Sequence, residues 1–431
     1  MTRTHSQRVA LHNEIHARPP EAMEGPLAIS HVVMLATAAQ REASRAHLAA
    51  LLREHHLPLP DGDANHLRMD LGGWRLRWEL HTEFVTWTFT RAVDLARVAP
   101  ADPPTGRDAV PRDWLAALPG ECLASMHLWV MPAGDTAAAA PALQLLREDT
   151  LVGSRVADGQ AQVYTDFTLH ADGFSRLVLL AGGAGAPGEM SPRRTGRLVQ
   201  RLLEIDTYRM AALLGLPAAR ETGATLGSAE RELAGLASAI RAAGREEEPQ
   251  LLERLTRLAG EIESQYAGSH ARFSASAAYF ELVDRRLADI RETRLPGLQT
   301  IGEFIERRLS PARATCEWTT RRQDALSQRV SRISNLLRTR VEIEQQQSTQ
   351  DLLAAMNRRQ QLQLRLQATV EGLSVAAITY YIVGLVSYLA KGAQALGWPF
   401  SSEATAAVAI PVVAGAVWWS LRRLHSKVFA A

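Results

Sequence analysis

Cysteine is nearly absent from this chain. Cys122 and Cys316 are the only two and stand far apart, which excludes a disulfide scaffold and a thiolate zinc site and fits a reducing compartment. Lysine is confined to Lys391 and Lys427, arginine carrying the rest of the positive charge. With the abundance of alanine, we read this as genome composition rather than function. No sign of charge dominates either: 48 basic residues face 46 acidic ones, so nucleic acid is not an expected partner. Also lacking are a paired-cysteine site, a serine in a nucleophile elbow and a phosphate-binding glycine loop. The glycine-rich stretch Ala181–Glu189 (AGGAGAPGE) has no following Lys and Ser or Thr, so it reads as a linker. Enzymatic activity and a resident cofactor are therefore not expected. The first 21 residues contain no apolar stretch long enough for a secretory signal, which keeps the bulk of the chain in the cytosol. What is present, 46% apolar and 22% charged residues, is the composition of a folded protein.

Long hydrophobic runs are missing until the end of the chain, where two occur. Gly372–Ala390 holds 19 residues without a charge, enough at about 1.5 Å per residue to cover most of a hydrocarbon core about 30 Å thick. Ala404–Leu421 is a second uncharged run, of 18 residues, interrupted by Pro411, which a membrane helix tolerates as a kink. A pair of buried core helices is the alternative for such alanine-rich text, but the flanks favour spanning. Arg358, Arg359 and Arg365 precede the first run and Arg422, Arg423 and Lys427 follow the second, while 391–403 carries only Lys391 and Glu403. The positive-inside rule then predicts cytoplasmic ends and an external 391–403 loop, a multi-pass placement in a bacterial inner membrane with lipid as a partner.

Before the membrane, 312–371 contains no glycine or proline, and predicts one long stem helix continuing into the first span. Leu326, Val330, Ile333 and Leu337 follow the 4, 3, 4 spacing of a coiled-coil seam, resumed through Leu352, Met356, Leu366 and Val370, so the stem calls for partners. The polar stretch Glu342–Asp351 is either a solvated face or the lining of a wet passage in a ring of stems. Upstream, 191–311 reads as helices folded back as hairpins, Arg193–Gly215 and Pro249–Arg294 strongly and Gly223–Glu248 more weakly.

Residues 1–190 predict an α/β domain. Strands are expected at Leu27–Leu35, Cys122–Met131, Leu151–Ala157, Gln162–Leu169 and Phe174–Leu180, with helices at Gln40–His55 and near Ala137–Arg147. In WRLRWELH, Trp74, Leu76, Trp78 and Leu80 alternate with Arg75, Arg77, Glu79 and His81. This predicts a strand with one packed face and one face in water, paired as a hairpin with Glu83–Thr90. RNA stacking on the interleaved aromatics is the lesser alternative. The segment LHNEIHARPPE (Leu11–Glu21) places His12 and His16 four apart with Glu14 between them, a spacing at which a divalent metal can bind on one helical face. A structural or capping role for Asn13, Glu14, His16 and Arg18 is the competing reading, since Pro19 and Pro20 end any helix there.

That segment, together with NRRQQLQLRLQATVEGLSVAAITYYIVGLVSYLAKG (Asn357–Gly392), resembles a proteobacterial family of uncharacterised membrane-anchored proteins that spans essentially this length; the resemblance implies no activity. The order of parts is separately similar to CorA-type magnesium channels, in which five stems form a funnel and the first span lines the pore. Their Gly-Met-Asn filter is absent, the matching region reading YLAKGAQALGWPF, so only the layout carries over. On that layout Tyr380, Gly384, Ser387 and Lys391 form one stripe of the first span, suited either to close helix packing or to lining a pore. A ring of Lys391 at the outer mouth repels cations and leaves an anion route, or none.

The expectation is thus an α/β N-terminal domain (1–190), a helical hairpin region (191–311), a stem (312–371) and a two-helix transmembrane hairpin (372–390 and 404–421, with the 391–403 loop) ending in a basic tail (422–431). A CorA-like ion channel or transporter, assembled as a homo-oligomer and by its layout a pentamer, comes first. A non-conducting anchored scaffold or sensor that binds a ligand or partner comes second.

Overall fold

A computed structural model describes residues 4–8, 11–12, 20–62, 64–94, 103–132, 143–181, 190–244, 246–395, 397, 399 and 401–428. The chain divides into two compact units: Met1–Ala242 with Glu253–Ile333, and Ala243–Leu252 with Ser334–Ala431.

The first unit is built on one mixed sheet. Its strands are β1 (Leu27–Leu35), β2 (His66–Asp70), β3 (Arg75–Leu80), β4 (Phe84–Ala92), β5 (Glu121–Pro132), β6 (Val152–Val156), β7 (Ala161–Thr165), β8 (Ser175–Ala181) and β9 (Thr293–Arg294). They lie in the order β2-β3-β4-β1-β5-β8-β7-β6-β9. Every pairing is antiparallel except β5 with β8. Helix α1 (Ala38–Glu54) starts at a capping box, Thr37 with Gln40, and covers one face of the β2-β3-β4-β1 end through Leu48, Leu51 and Leu52 against Trp78, Trp87 and Phe89. A five-residue helix, α2 (Arg112–Ala116), brings Trp114 to the same cluster.

The opposite face is covered by α3 (Pro192–Leu213), with α4 (Gly215–Ala242), α5 (Glu248–Asp289) and the start of α6 (Ile301–Ala395) behind it. Proline at the first turn of α3 costs no helix hydrogen bond. From that helix Leu198, Val199 and Leu202 close on Ile29, Leu128, Val130 and Leu179 of the strands. At about 25 cal/mol per Å² of apolar surface, this burial is the main favourable term holding the helices to the sheet.

Most predicted elements are present, with informative differences. The strand predicted at Gln162–Leu169 stops at Thr165, because Asp166 turns the chain by accepting from the Thr168 and Arg147 amides. The helix predicted near Ala137–Arg147 falls largely outside the described residues, as does the 182–189 linker. β3 and β4 pair as a hairpin, with Arg77 opposite Thr88 and Glu79 opposite Thr86. Their polar face does not meet water: Arg77 and Glu79 are each only 9% exposed, because α3 lies over them.

The stem also differs. Its helix begins at Ile301, not Ala312, and Pro311 sits inside it, between the core residues Leu309 and Ala312. The predicted seam is satisfied within the chain: Leu326 and Ile333 face Leu233, Ala234 and Ala237 of α4. Arg322 binds Glu230 in a two-pronged pair at 2.7 and 2.5 Å, and Gln323 meets Ser269 of α5 at 3.3 Å. This part of the repeat is an intramolecular helix bundle, whereas Leu352, Met356, Leu366 and Val370 are 64–67% exposed.

In the second unit Arg340 of α6 binds Glu248 at 2.6 Å. Helix α6 continues to Ala395 and α7 spans Ser402–Val428, so the connection is shorter than 391–403 and the basic tail prolongs α7. Both helices contain stretches long and apolar enough to cross a membrane, of which 6% and 0% is buried within the chain. They are therefore not core helices of this chain.

Candidate functional site

The burial of Arg77 and Glu79 creates a polar cavity inside the first unit. One register row runs Arg77, Thr88, His31 across β3, β4 and β1, and the next runs Glu79, Thr86, Val33. Period-two alternation aims all six side chains at α3, and all but Val33 are polar or charged. That helix answers with Gln200, Glu204, Thr207 and Tyr208 at helical spacing, and α5 adds Arg286. The cavity volume is about 300 Å³. A neighbouring cavity of about 500 Å³, lined by Arg41, Asn65 and Tyr279, shares His81, Phe84 and Tyr208 with it.

Its charges are held in pairs. Arg77 donates to Glu79 at 2.7 Å, with Thr86 3.5 Å from the other carboxylate oxygen. Arg286 donates to Glu204 and, at 3.1 Å, to Asp289. Gln200 supports Glu204 from the previous turn at 2.9 Å. Behind Arg77, at the matching position of β2, stands Arg68. Its Nε and Nη2 are buried without a hydrogen bond among the described residues, and burial followed by Arg77 lowers its pKa. Near the outer cavity Arg272 holds Glu83 at 3.0 Å, and burial followed by the Glu83 charge pushes the Tyr279 phenol well above its ordinary pKa.

His31 is the fixed point of the network. Its Nδ1 lies 2.8 Å from Thr88 Oγ1 and its Nε2 3.1 Å from Thr207 Oγ1. The Thr207 hydroxyl donates to the Leu203 carbonyl at 2.8 Å, so toward His31 it can only accept. The proton therefore sits on Nε2, and Nδ1 accepts from Thr88. Burial lowers the His31 pKa to about 4, against smaller opposing effects of Glu79 and Asp206; the ring is neutral near pH 7.

On the other face of β1, Ser30 Oγ is 2.8 Å from His127 Nδ1 and His127 Nε2 is 3.5 Å from Asp172. These are the residue types of a hydrolytic triad, but Ser30 is 0% and His127 1% exposed. Ser30 Oγ also accepts from the Arg107 amide at 2.9 Å, and the His127 ring is stacked on Phe174 at 4.0 Å. A nucleophile must reach its substrate; this one instead ties the Arg107 segment to the sheet.

None of the described residues expected to form a site lines the cavity, whereas Arg77, Glu79 and His81, read from the sequence as a solvent-facing strand face, do. Asn13, Glu14, His16 and Arg18 lie outside the described residues, so of the proposed His12–His16 metal pair only His12 is described. Among the described residues no group of three or more His, Cys, Asp or Glu is placed to hold a metal ion. Tyr380, Gly384, Ser387 and Lys391 all lie on α6 in the second unit. Tyr380 is 78% exposed, and a Cβ on Gly384 would meet open space. The Ser387 hydroxyl is used on the Val383 carbonyl of its own helix at 2.9 Å, and Lys391 lies over the Tyr388 ring at 5.9 Å.

Sequence reasoning missed His31, Thr86, Thr88, Glu204 and Arg286. A usable signal was present, since His31 interrupts the apolar strand LAISHVVML and threonine recurs at 86, 88 and 90.

No curated protein and no solved structure matches the chain. Residues 3–428 match a family described as "Protein of unknown function (DUF3422)", and with the match running over almost its whole length, the chain belongs to that family.

Proposed function

We infer that the protein is a membrane-tethered sensor whose α/β unit binds a small zwitterion in the cavity between β3, β4, β1 and α3. One observation carries this reading: two cations and two anions, the buried pair Arg77 with Glu79 and the half-buried pair Arg286 with Glu204, line one cavity. Burying ionised groups is costly unless they are paired, and a balanced lining accommodates a ligand that is itself charged but neutral overall. Arg77, with the Arg68 charge behind it, marks the end suited to the ligand's carboxylate, and Glu204 the end suited to its ammonium. The two apolar helices serve as the tether. Arginines before the first span and after the second support cytoplasmic ends in a bacterial inner membrane. The exposed leucines of the stem support a homo-oligomer.

The test is calorimetric titration of the purified full chain in detergent with a panel of free amino acids. Saturable binding by at least one, weakened in Gln200→Leu, is the expected result; a panel that gives no heat with folded protein removes the proposal.

Conduction in a CorA-like ring is the second reading, supported by the order of parts along the chain. It expects ion flux in liposomes that Gly384→Leu reduces, and equal flux in both forms with intact assembly counts against it.

A further inference from the structure

A second cleft, of about 310 Å³, lies elsewhere on the first unit, where the β6–β7 turn meets α3 and the end of α5. Its walls carry four guanidiniums, Arg194, Arg197, Arg201 and Arg291, against two carboxylates, Asp158 and Asp289. Arg194, Arg197 and Arg201 are spaced 3 and 4 along α3, which puts them on one helical face. Arg291 approaches from the turn that follows α5.

The two acids organise this set. Asp158 Oδ2 receives Arg194 at 2.9 Å and Arg291 at 3.0 Å, so two guanidiniums from different elements already converge on one oxyanion. Asp289 is engaged chiefly by Arg286 at 3.1 Å. Arg201 binds the Asp289 carbonyl at 3.1 Å while its Nε stays 3.9 Å from the carboxylate. Arg197 is exposed and makes no hydrogen bond or ion pair among the described residues. The lining carries two more positive than negative charges: Arg194 and Arg291 share one carboxylate, Arg201 is only loosely paired with Asp289, and Arg197 has no carboxylate among the described residues.

The backbone here is also held in an uncommon conformation. Of the five described non-glycine residues with positive φ, three line this cleft: Ala157 at 54°, Asp158 at 60° and Arg291 at 49°. Such residues cost free energy and persist where the surroundings over-determine them. The Ala157 amide is anchored to the Ile290 carbonyl at 2.8 Å, which locks the β6–β7 turn to the end of α5 and fixes Asp158 and Arg291 in place.

We propose that this cleft binds a phosphate monoester dianion through Arg197 and Arg201, with Arg194 and Arg291 completing the cradle. The planar guanidinium fork matches phosphate oxygens in pairs, and two surplus charges match a dianion. The site is distinct from the zwitterion cavity: the two share no lining residue, and Arg286 of the cavity meets the cleft only through Asp289.

The chemistry is common to a soluble phosphate and to a lipid headgroup, and two probes separate them. The full chain in neutral detergent is titrated with inorganic phosphate and, separately, with short-chain phosphatidic acid, in wild type, Arg197→Ala, Arg197→Ala/Arg201→Ala and the control Arg193→Ala. Binding of both probes, weakened about tenfold or more in Arg197→Ala and further in the double variant, assigns the site to phosphate as such. Binding of the lipid alone, with the same losses, assigns it to a headgroup. Absence of binding by either probe overturns the proposal. So does binding that Arg193→Ala weakens as much as Arg197→Ala, because the attraction is then diffuse charge rather than this cradle.

Discussion

A single face of the sheet is packed by the same helix in two opposite ways. Over β5, β8, β7 and β6, α3 meets an apolar wall of Leu128, Val130, Leu179 and Val163. Over β3, β4 and β1 it meets Arg77, Glu79, Thr86, Thr88 and His31 around a cavity. The first half is held by close packing and non-directional burial. The second depends on groups that stabilise the fold only when each has its partner. The strand residues of both halves are buried, so the difference lies in the chemistry of the packing. What it shows is where this unit gives up packing for polar space, which is the feature the proposed ligand site rests on.

The largest effect should come from breaking one buried pair in the polar half. Arg77→Met leaves Glu79 ionised and buried without its cation, and should destabilise the unit by about 3–5 kcal/mol. Pairing it with Glu79→Met removes the orphaned charge and should restore most of that loss. Denaturant unfolding of the full chain in detergent measures both. A double variant as unstable as the single would mean that the ion pair itself, and not the orphaned charge, carries the energy.

Next in size is a pH dependence. His31 is neutral in the folded chain down to about pH 4, whereas an unfolded imidazole takes up its proton near pH 6.5. Between those values the unfolded state binds more protons, so stability is complete above pH 6.5 and falls as the pH drops toward 4. The drop amounts to about 3 kcal/mol at most. Glu79 and Asp206 facing the ring reduce it, and Arg77 adds to it. In His31→Gln the segment of the stability profile between pH 4 and 6.5 should flatten; a profile that keeps the wild-type slope assigns the dependence to other groups.

The fold was largely legible in the sequence, and the site was not. Strand β1 lies where Leu27–Leu35 was expected, and the β3–β4 hairpin follows the Trp74–Leu80 alternation, because period two reports a sheet surface whatever covers it. The same alternation misassigned Arg77 and Glu79 to water: it separates polar from apolar faces and does not reveal that α3, over a hundred residues later, closes the polar one. The 4, 3, 4 spacing of Leu326 to Leu337 correctly marked a buried seam but not its partner, since α4 of the same chain satisfies it as well as a second copy would. Pro311, at the expected boundary between the hairpin region and the stem, lies inside a helix that carries through it. His31 went unread because one histidine in an apolar strand acquires meaning only from Thr88 and Thr207, 57 and 176 residues away.

The smallest effects give the most direct comparison of the two halves, because the changes are nearly equal in volume. Thr88→Val exchanges a hydroxyl for a methyl and leaves His31 Nδ1 a buried acceptor without its donor, at a cost of about 1–3 kcal/mol. Ile29→Val, two residues earlier on β1 and aimed at the same helix layer, removes one methylene from the apolar half for about 0.5–1.5 kcal/mol. A fully buried chain packed by area alone would rank these the other way, since Thr88→Val adds apolar surface and Ile29→Val removes it. If unfolding midpoints show Ile29→Val to be the costlier, the polar half is solvated in solution and the cavity is open enough for water to replace Thr88 as the partner of His31.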